Sequence, residues 1–161
     1  AAERFRVHGI NGIGVADLMK GAGLTHGGFY THFDSKDALV TEAIEAALDQ
    51  TLSTLQDAAT KAGRRKKSKA VREEYLSIAH RDNPQVGCCI AALGDDIARL
   101  DANAKRAFEQ NVEKLLELLS DDGERKRTET IRELCRMVGA LVISRAVRSD
   151  AVSKEVLEAC R

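Results

Sequence analysis

The apolar residues of this chain recur at steps of three and four, and this spacing constrains the fold class more than any other feature. The longest stripe runs through Leu39, Ala43, Ile44, Ala47, Leu48, Leu52 and Leu55. Such spacing places apolar side chains along one face of an α-helix. The 161 residues include a single Pro, are rich in helix-forming types and lack the β-branched runs typical of strands. The sequence therefore predicts an all-α fold.

Glycines divide the first part of the chain into three short predicted helices. The first ends at Gly9, and "GINGIG" predicts the turn that follows. The second carries an apolar face and ends at Gly23, as helices often do at a glycine; that face consists of Val15, Leu18, Met19 and Ala22. Thr25 is a suitable cap for the third helix. Since the chain opens without Met, we expect part of its N-terminus to be missing.

Asp34 or Ser35 is then expected to cap a long fourth helix. Three short helices in this order predict a helix-turn-helix DNA-binding domain, which places its second motif helix in the major groove. We expect this domain to cover residues 1–36. Residues 37–161 are expected to form a second, helical domain.

The third helix concentrates residues that are rare elsewhere in the chain. Phe29, Tyr30 and Phe33 lie within five residues, although the whole sequence has four Phe, two Tyr and no Trp. The two Phe are four residues apart and therefore share one side of a helix, where they can fix it to its neighbours. Two adjacent glycines, Gly27 and Gly28, precede them and would let DNA approach the backbone closely. Tyr30 and the residues after it, Thr31 and His32, are left to contact phosphates or base edges.

The segment "GVADLMKGAGLTHGGFYTHFDSKDAL" closely resembles the DNA-binding segment of TetR-family transcriptional repressors, above all between Ala22 and Leu39. The resemblance implies that His26 and Gly27 face base edges. It also implies that Lys36 holds a backbone phosphate. The other implied contacts, with bases and phosphates along the recognition helix, are Thr25, Gly28, Tyr30, Thr31 and His32.

Two features of this segment depart from the family pattern. Ile13 and Gly14 stand where the family usually has Thr or Ser before its second helix, so a hydroxyl cap is replaced by glycine, which is also an acceptable cap. Residues 1–36 carry four cations (Arg4, Arg6, Lys20, Lys36) against three acids (Glu3, Asp17, Asp34), a weak positive footprint for DNA. The net charge of the whole chain is zero.

The second half resembles the regulatory domain of one TetR-family branch around "GCCIAALGDDIARL" and near the end of the chain. This resemblance implies a helical ligand-binding and dimerisation domain, with the last helices joining two subunits. It implies a pocket whose candidate lining residues are Tyr75, Cys88, Cys89, Phe108 and Met137. A three-four repeat near the end is typical either of a dimer seam or of packing within the chain; it consists of Ile131, Leu134, Val138 and Leu141.

Two shorter segments also predict local features. The basic run "GRRKK" is typical of a solvated loop or helix start, with a second DNA-binding or nuclear-targeting patch as the alternative. The segment "SDDGER" predicts a turn between two helices.

These features together predict a repressor that binds a near-palindromic operator as a homodimer and is released by a small-molecule inducer. One alternative keeps this scaffold and makes Cys88 or Cys89 a redox or electrophile sensor, which would need positive charge near an exposed thiolate. A remote alternative is an all-helical metal-dependent enzyme that uses Asp95 and Asp96, but adjacent helical residues point roughly 100° apart.

Several classes are not expected. The chain has no metal-ligand spacing among its four cysteines and no apolar run of about 18 or more residues. We therefore expect reduced thiols, no membrane span, no cofactor and no catalytic residues, in a cytoplasmic protein.

Overall fold

The computed structural model describes residues 1–63, 66–120 and 125–161, and for His26 it describes the backbone alone. Every regular element within these residues is helical, so the predicted all-α fold is confirmed. Residues 64–65 of the basic run and residues 121–124 of the predicted turn lie outside the described ranges. No helix in the described ranges is long and apolar enough to cross a membrane.

Three helices of seven residues each open the chain. They are α1 (Ala2–His8), α2 (Val15–Gly21) and α3 (His26–His32). Gly14 is the cap of α2 and supplies no side-chain bond, as the sequence predicts. Gly23 has a φ of 72°, which L side chains rarely adopt, so the tight turn between α2 and α3 requires a glycine at this position.

A long helix, α4 (Lys36–Ala62), follows and contributes buried residues to both parts of the core. Its cap is Ser35, whose hydroxyl oxygen accepts the Ala38 N–H at 3.1 Å. All seven residues of the predicted apolar stripe, from Leu39 to Leu55, are buried.

Six further helices and the 3₁₀ turn at Pro84–Val86 follow within the residues that the structure describes. They are α5 (Lys67–Tyr75), α6 (Ile78–Asp82), the 3₁₀ turn (Pro84–Val86), α7 (Cys89–Ala98), α8 (Ala102–Leu119), α9 (Arg127–Ala146) and α10 (Asp150–Ala159). The chain's single Pro opens the 3₁₀ turn, where its missing N–H costs no hydrogen bond.

The buried residues form two hydrophobic clusters, and α4 belongs to both. The first cluster joins α1, α2 and α3 to α7 and to α4 from Leu39 to Leu48. The second joins α5, α8, α9 and α10 to α4 from Leu52 to Ala59. A helix of seven residues is not stable in water by itself. The three N-terminal helices are therefore held by a core that they share with the rest of the chain, across the predicted boundary at residue 36.

Polar contacts reinforce this attachment. The Asp96 carboxylate on α7 accepts the Ile10 N–H at 3.0 Å. The buried Arg6 on α1 donates to the Gln50 amide oxygen at 2.8 Å, and at longer distances to the Ala47 and Gly87 carbonyls. The turn after α1 and α1 itself are thus tied to both α4 and α7.

The predicted seam on α9 is divided between two faces of the helix. Leu134 and Leu141 are buried in the second cluster, whereas Ile131 is 41% exposed. The large apolar residues that α9 leaves exposed are Ile131, Val142 and Ile143. Part of the predicted repeat therefore packs within the chain, and a neighbouring face remains uncovered.

Replacing Asp96 by Ala should destabilise the protein by about 1–3 kcal/mol, because the buried Ile10 N–H loses its acceptor. Asp95→Ala is the matched control: its carboxylate is 89% exposed and pairs with Arg99, which also binds Asp96. An exposed pair contributes about 0–1 kcal/mol. Urea unfolding of both variants measures the difference, and equal losses would show that the Asp96–Ile10 bond does not hold the turn.

Candidate nucleic-acid interface and ligand cavity

The third helix lies on the surface and is held from one side by aromatic packing. Phe29 is buried, and its ring stacks on that of Phe33 with centroids 5.6 Å apart. The Tyr30 ring meets the edge of Phe29 yet remains 65% exposed. The Thr25 hydroxyl oxygen accepts the Gly28 N–H at 3.2 Å and caps the helix, as the sequence predicts. The opposite face of α3 is therefore presented outward on a fixed support.

The residues predicted to touch DNA lie together along this helix. Those exposed to solvent are Thr25, Gly27, Tyr30, Thr31 and His32. Gly28 is partly covered, and a Cβ there would lie 3.4 Å from the Thr25 hydroxyl oxygen. A Cβ on Gly27 would meet nothing within 4 Å. The His26 side chain lies outside the description, so its contact with base edges stays a prediction.

Lys36 has a structural role that the resemblance does not imply. Its ammonium donates to the Ile10 carbonyl at 2.8 Å and to the Ile13 carbonyl at 2.9 Å, which fixes the "GINGIG" turn onto the start of α4. An ammonium has three donors, so two are used within the fold. Arg6 is buried and Arg4 donates to the Asp17 carbonyl. Three of the four cations in residues 1–36 are thus engaged inside the chain.

Comparison with known proteins agrees with this geometry. Residues 1–43 match the family model for bacterial regulatory proteins of the tetR family. This N-terminal segment is therefore similar to proteins of the tetR family. A curated relative is the HTH-type transcriptional repressor KstR2 of Rhodococcus jostii (strain RHA1), 26% identical over 108 residues, or 67% of this chain. That stretch is 52% of KstR2, so the chain spans about half the length of this relative.

Two solved structures share the fold of this chain. A crystal structure of E. coli NemR in its reduced form superposes with a TM-score of 0.81 at 18% identity, covering 99% of this chain and 90% of NemR. A transcriptional regulator from Pseudomonas aeruginosa PAO1 gives a TM-score of 0.70 at 20% identity, covering 99% and 83%. The likeness extends over the second half of the chain, which the family model does not reach.

A cavity of about 250 Å³ lies between α4, α5, α6 and the 3₁₀ turn. Its lining residues are Gln50, Thr51, Thr54, Leu55, Glu74, Ala79, His80, Asn83 and Val86. None of the five residues predicted to line a pocket is among them. Tyr75, Cys88 and Met137 are fully buried in the second cluster, Cys89 is buried in the first, and Phe108 packs against the first. Four of the five are therefore buried core residues and Phe108 is partly buried, and their contact with a ligand stays a prediction.

The sequence gives only a weak indication of the polar residues that line this cavity. Thr51 interrupts the buried face of α4 between the exposed Gln50 and Thr54, and residues 83–86 surround the chain's only Pro. A polar insertion in a buried face and a break between helices each indicate an opening in the core. These two segments, the polar part of α4 and residues 83–86, come together only when α5 and α6 fold.

His80 is the most perturbed residue of the cavity. Its Nδ1 lies 2.6 Å from the Tyr75 carbonyl oxygen, and its Nε2 accepts the Cys88 N–H at 2.8 Å. This pairing puts the ring proton on Nδ1. Burial, aided by the positive charges of Arg145 and Arg6, lowers the pKa of His80 to about 4. The ring is therefore neutral at physiological pH and bridges two segments of backbone.

Cys88 and Cys89, near His80, lie in surroundings that make their thiols unreactive. The structure places Arg6 and Arg145 near Cys88, although the sequence suggests only Arg81 as a neighbouring cation. Burial nevertheless raises the pKa of Cys88, and it raises the pKa of Cys89 to about 12. A thiol that stays protonated and inaccessible is a poor nucleophile.

The stability of the protein should fall as the pH drops below 6.5, because the unfolded chain then binds a proton at residue 80 that the folded chain excludes. The difference between the usual histidine pKa and the lowered pKa of His80 corresponds to about 3 kcal/mol of unfolding free energy. Urea unfolding at about pH 7 and about pH 5 should show a smaller pH dependence in His80→Gln than in the wild type. The exposed His32→Gln serves as control and should behave as the wild type; an equal pH response in His80→Gln would contradict this assignment.

Proposed function

We propose that the chain is a repressor that binds a near-palindromic DNA operator as a homodimer and is released by a small molecule. The observation that carries the DNA-binding part is the exposed, glycine-containing face of α3. The match of residues 1–43 to the tetR family model and the similarity to KstR2, which is named a transcriptional repressor, support the same function.

Among the residues that the structure describes, no contact or backbone angle requires a glycine at position 27. It lies in α3 without a positive φ, and its Cβ would meet nothing within 4 Å. Glycine inside a helix costs roughly 0.5–1 kcal/mol relative to Ala. A residue that weakens a short helix without easing any contact in the chain is explained by a partner that approaches from outside. On this face of the helix, we infer that the partner is DNA.

The homodimer is proposed to form through the last two helices. Val142 and Ile143 on α9 and Val152 on α10 are 43%, 50% and 44% exposed. Aliphatic side chains grouped on two adjacent helices favour association with an equivalent surface. Such a dimer would place two copies of α3 in successive major grooves, about 34–36 Å apart.

Release is proposed to follow from a ligand in the cavity beside α4. This helix carries Lys36, which fixes the turn before α2, and Gln50, which lines the cavity. A ligand that favours a different arrangement of α4 changes the spacing of the two recognition helices. Coupling of this kind is typically about 1–3 kcal/mol.

The alternatives receive less support. A crystal structure of the structural neighbour NemR shows its reduced form, but Cys88 and Cys89 are buried with raised pKa values. For the enzyme alternative, Arg99 pairs with both Asp95 and Asp96. No cluster of three metal-ligating side chains occurs in residues 1–63, 66–120 and 125–161.

Gly27→Ala should stabilise the helix and at the same time weaken DNA binding roughly tenfold or more, since a tenfold loss corresponds to about 1.4 kcal/mol. The probe is a duplex selected from a random pool by the wild-type protein, and retention is measured by electrophoretic mobility. Gly94→Ala is the matched control, because Gly94 lies in α7 and its Cβ would also meet nothing within 4 Å. Undiminished retention by Gly27→Ala would remove the central argument for this interface.

The double substitution Val142→Glu, Ile143→Glu should convert a dimer into a monomer, because four carboxylates would face one another across the proposed interface. Analytical ultracentrifugation measures the mass. Val7→Glu is the control, since Val7 is 49% exposed on α1, away from the last helices. A dimer that persists in the double variant would place the interface elsewhere.

A further inference from the structure

One residue of the turn before α2 is held by charged side chains from two different helices. The Ile10 N–H donates to Asp96 Oδ2 on α7 at 3.0 Å, and the Ile10 carbonyl accepts from Lys36 Nζ on α4 at 2.8 Å. Hydrogen bonds with an ionised partner are roughly twice as strong as neutral ones. We call Asp96 and Lys36 together the Ile10 clamp. This clamp ties the turn to two helices that lie outside the three N-terminal ones.

Further contacts hold the two clamp residues in place. The other carboxylate oxygen of Asp96, Oδ1, accepts from the Arg99 guanidinium at 3.0 Å. A Cβ on Gly9 would lie only 3.1 Å from Asp96 Oδ2, so the glycine lets the carboxylate reach the turn. Lys36 Nζ also donates to the Ile13 carbonyl at 2.9 Å. Both ends of the turn are therefore fixed to the same clamp.

The position of Lys36 indicates that its charge serves the fold. Lys36 is the first residue of α4, where the helix dipole disfavours a cation. The carbonyl oxygens of Ile10 and Ile13 offset this effect, and they occupy two of the three ammonium donors. The side chain is also half-buried. A DNA phosphate would have to compete for an ammonium that is already bonded within the chain.

The clamped turn leads directly into the helix-turn-helix. Ile10 and Ile13 are buried in the first cluster, and Gly14 then caps α2, which packs against α3. In a helix-turn-helix the first helix crosses the DNA backbone while the second lies in the major groove. The clamp therefore sets where α2 begins, and with it the position of the pair of helices that would meet DNA.

We propose that Asp96 and Lys36 are positioning residues for DNA binding that act through Ile10. Lys36 contributes to affinity by holding the turn and not by neutralising a phosphate. Asp96 lies on α7, 86 positions after Ile10 and beyond the matched segment 1–43, so the helix that presents the recognition face depends on a residue outside that segment. The inference rests on the proposed function and adds the residues that position its DNA-binding helices.

Salt dependence tests the role of Lys36. Lys36→Met should weaken retention of the selected duplex about tenfold, the equivalent of about 1.4 kcal/mol. The slope of log affinity against log salt concentration should stay as in the wild type, because no phosphate contact is lost. Loss of one neutralised phosphate would instead lower the slope by about 0.9, and a change of that size would overturn the assignment.

The ammonium of the wild type gives the same answer without a variant. The ¹⁵N signal of Lys36 Nζ should stay in place when the duplex is added, because its bonds to the turn persist in the complex. A signal that moves as the duplex binds would show that the ammonium turns to a phosphate, and it would overturn the proposal.

The carboxylate of Asp96 is tested by a conservative variant and a stability control. Asp96→Ala should weaken retention about tenfold, and Asp96→Asn should restore most of it, since an amide oxygen can still accept the Ile10 N–H. Val71→Ala is the control: it removes two methyl groups from the second cluster, which contains no residue of α1, α2 or α3, and should lower stability without weakening retention. Retention is measured where circular dichroism shows every variant folded. Equal retention by Asp96→Ala and Val71→Ala would overturn the role of Asp96.

The double variant tests whether both side chains act through one residue. Lys36→Met with Asp96→Ala should weaken retention by less than the product of the two single losses, because substitutions that share a partner are not additive. Amide hydrogen exchange should speed up in α2 of each single variant and stay unchanged in α10. Losses that multiply, or exchange in α2 equal to that of the wild type, would overturn the clamp.

The wild type separates this inference from the proposed function. A wild type that retains the duplex, together with clamp variants that retain it equally well, refutes the inference alone. A wild type that retains no duplex refutes the repressor function, and exchange in α2 then still decides whether Asp96 and Lys36 hold the turn.

Discussion

The structure depends on one shared hydrophobic cluster that joins the three N-terminal helices to α4 and α7. Helices of seven residues cannot fold alone, so α3 exists as a surface helix only because Phe29 is buried in that cluster. The packing of Phe29 therefore attaches α3 to the rest of the chain and also keeps the opposite face of α3 toward solvent. Any movement of α4 or α7 that disturbs the cluster must therefore also disturb α3.

The helices of the N-terminal half could be predicted because their determinants are local. The four-residue spacing of Phe29 and Phe33, the Thr25 and Ser35 caps and the glycine turns act within one or two helical turns. The structure shows each of them where the sequence predicts it. The long stripe of α4 is equally local, since a single face of one helix must be buried whatever its partner is.

The polar ties and the cavity could not be predicted because they join distant segments. A charged residue is expected at the surface, yet Arg6 is buried through acceptors that follow it by 41 to 81 positions. Asp96 accepts from Ile10 across 86 positions. The residues that line this cavity could not be chosen from composition for the same reason: Tyr75 and Met137 are large and apolar, and packing decides whether such a residue lines a cavity or fills the core.

The cavity lies where α4 passes from one cluster to the other. Residues up to Leu48 belong to the first cluster and residues from Leu52 to the second, and Gln50 and Thr51 lie between them. Well-packed cores resist deformation. At the junction the helix instead carries Gln50 and Thr51, whose side chains bond to Arg6 and to the Ala47 carbonyl. The junction is therefore the place along α4 where one cluster can move relative to the other while both remain packed.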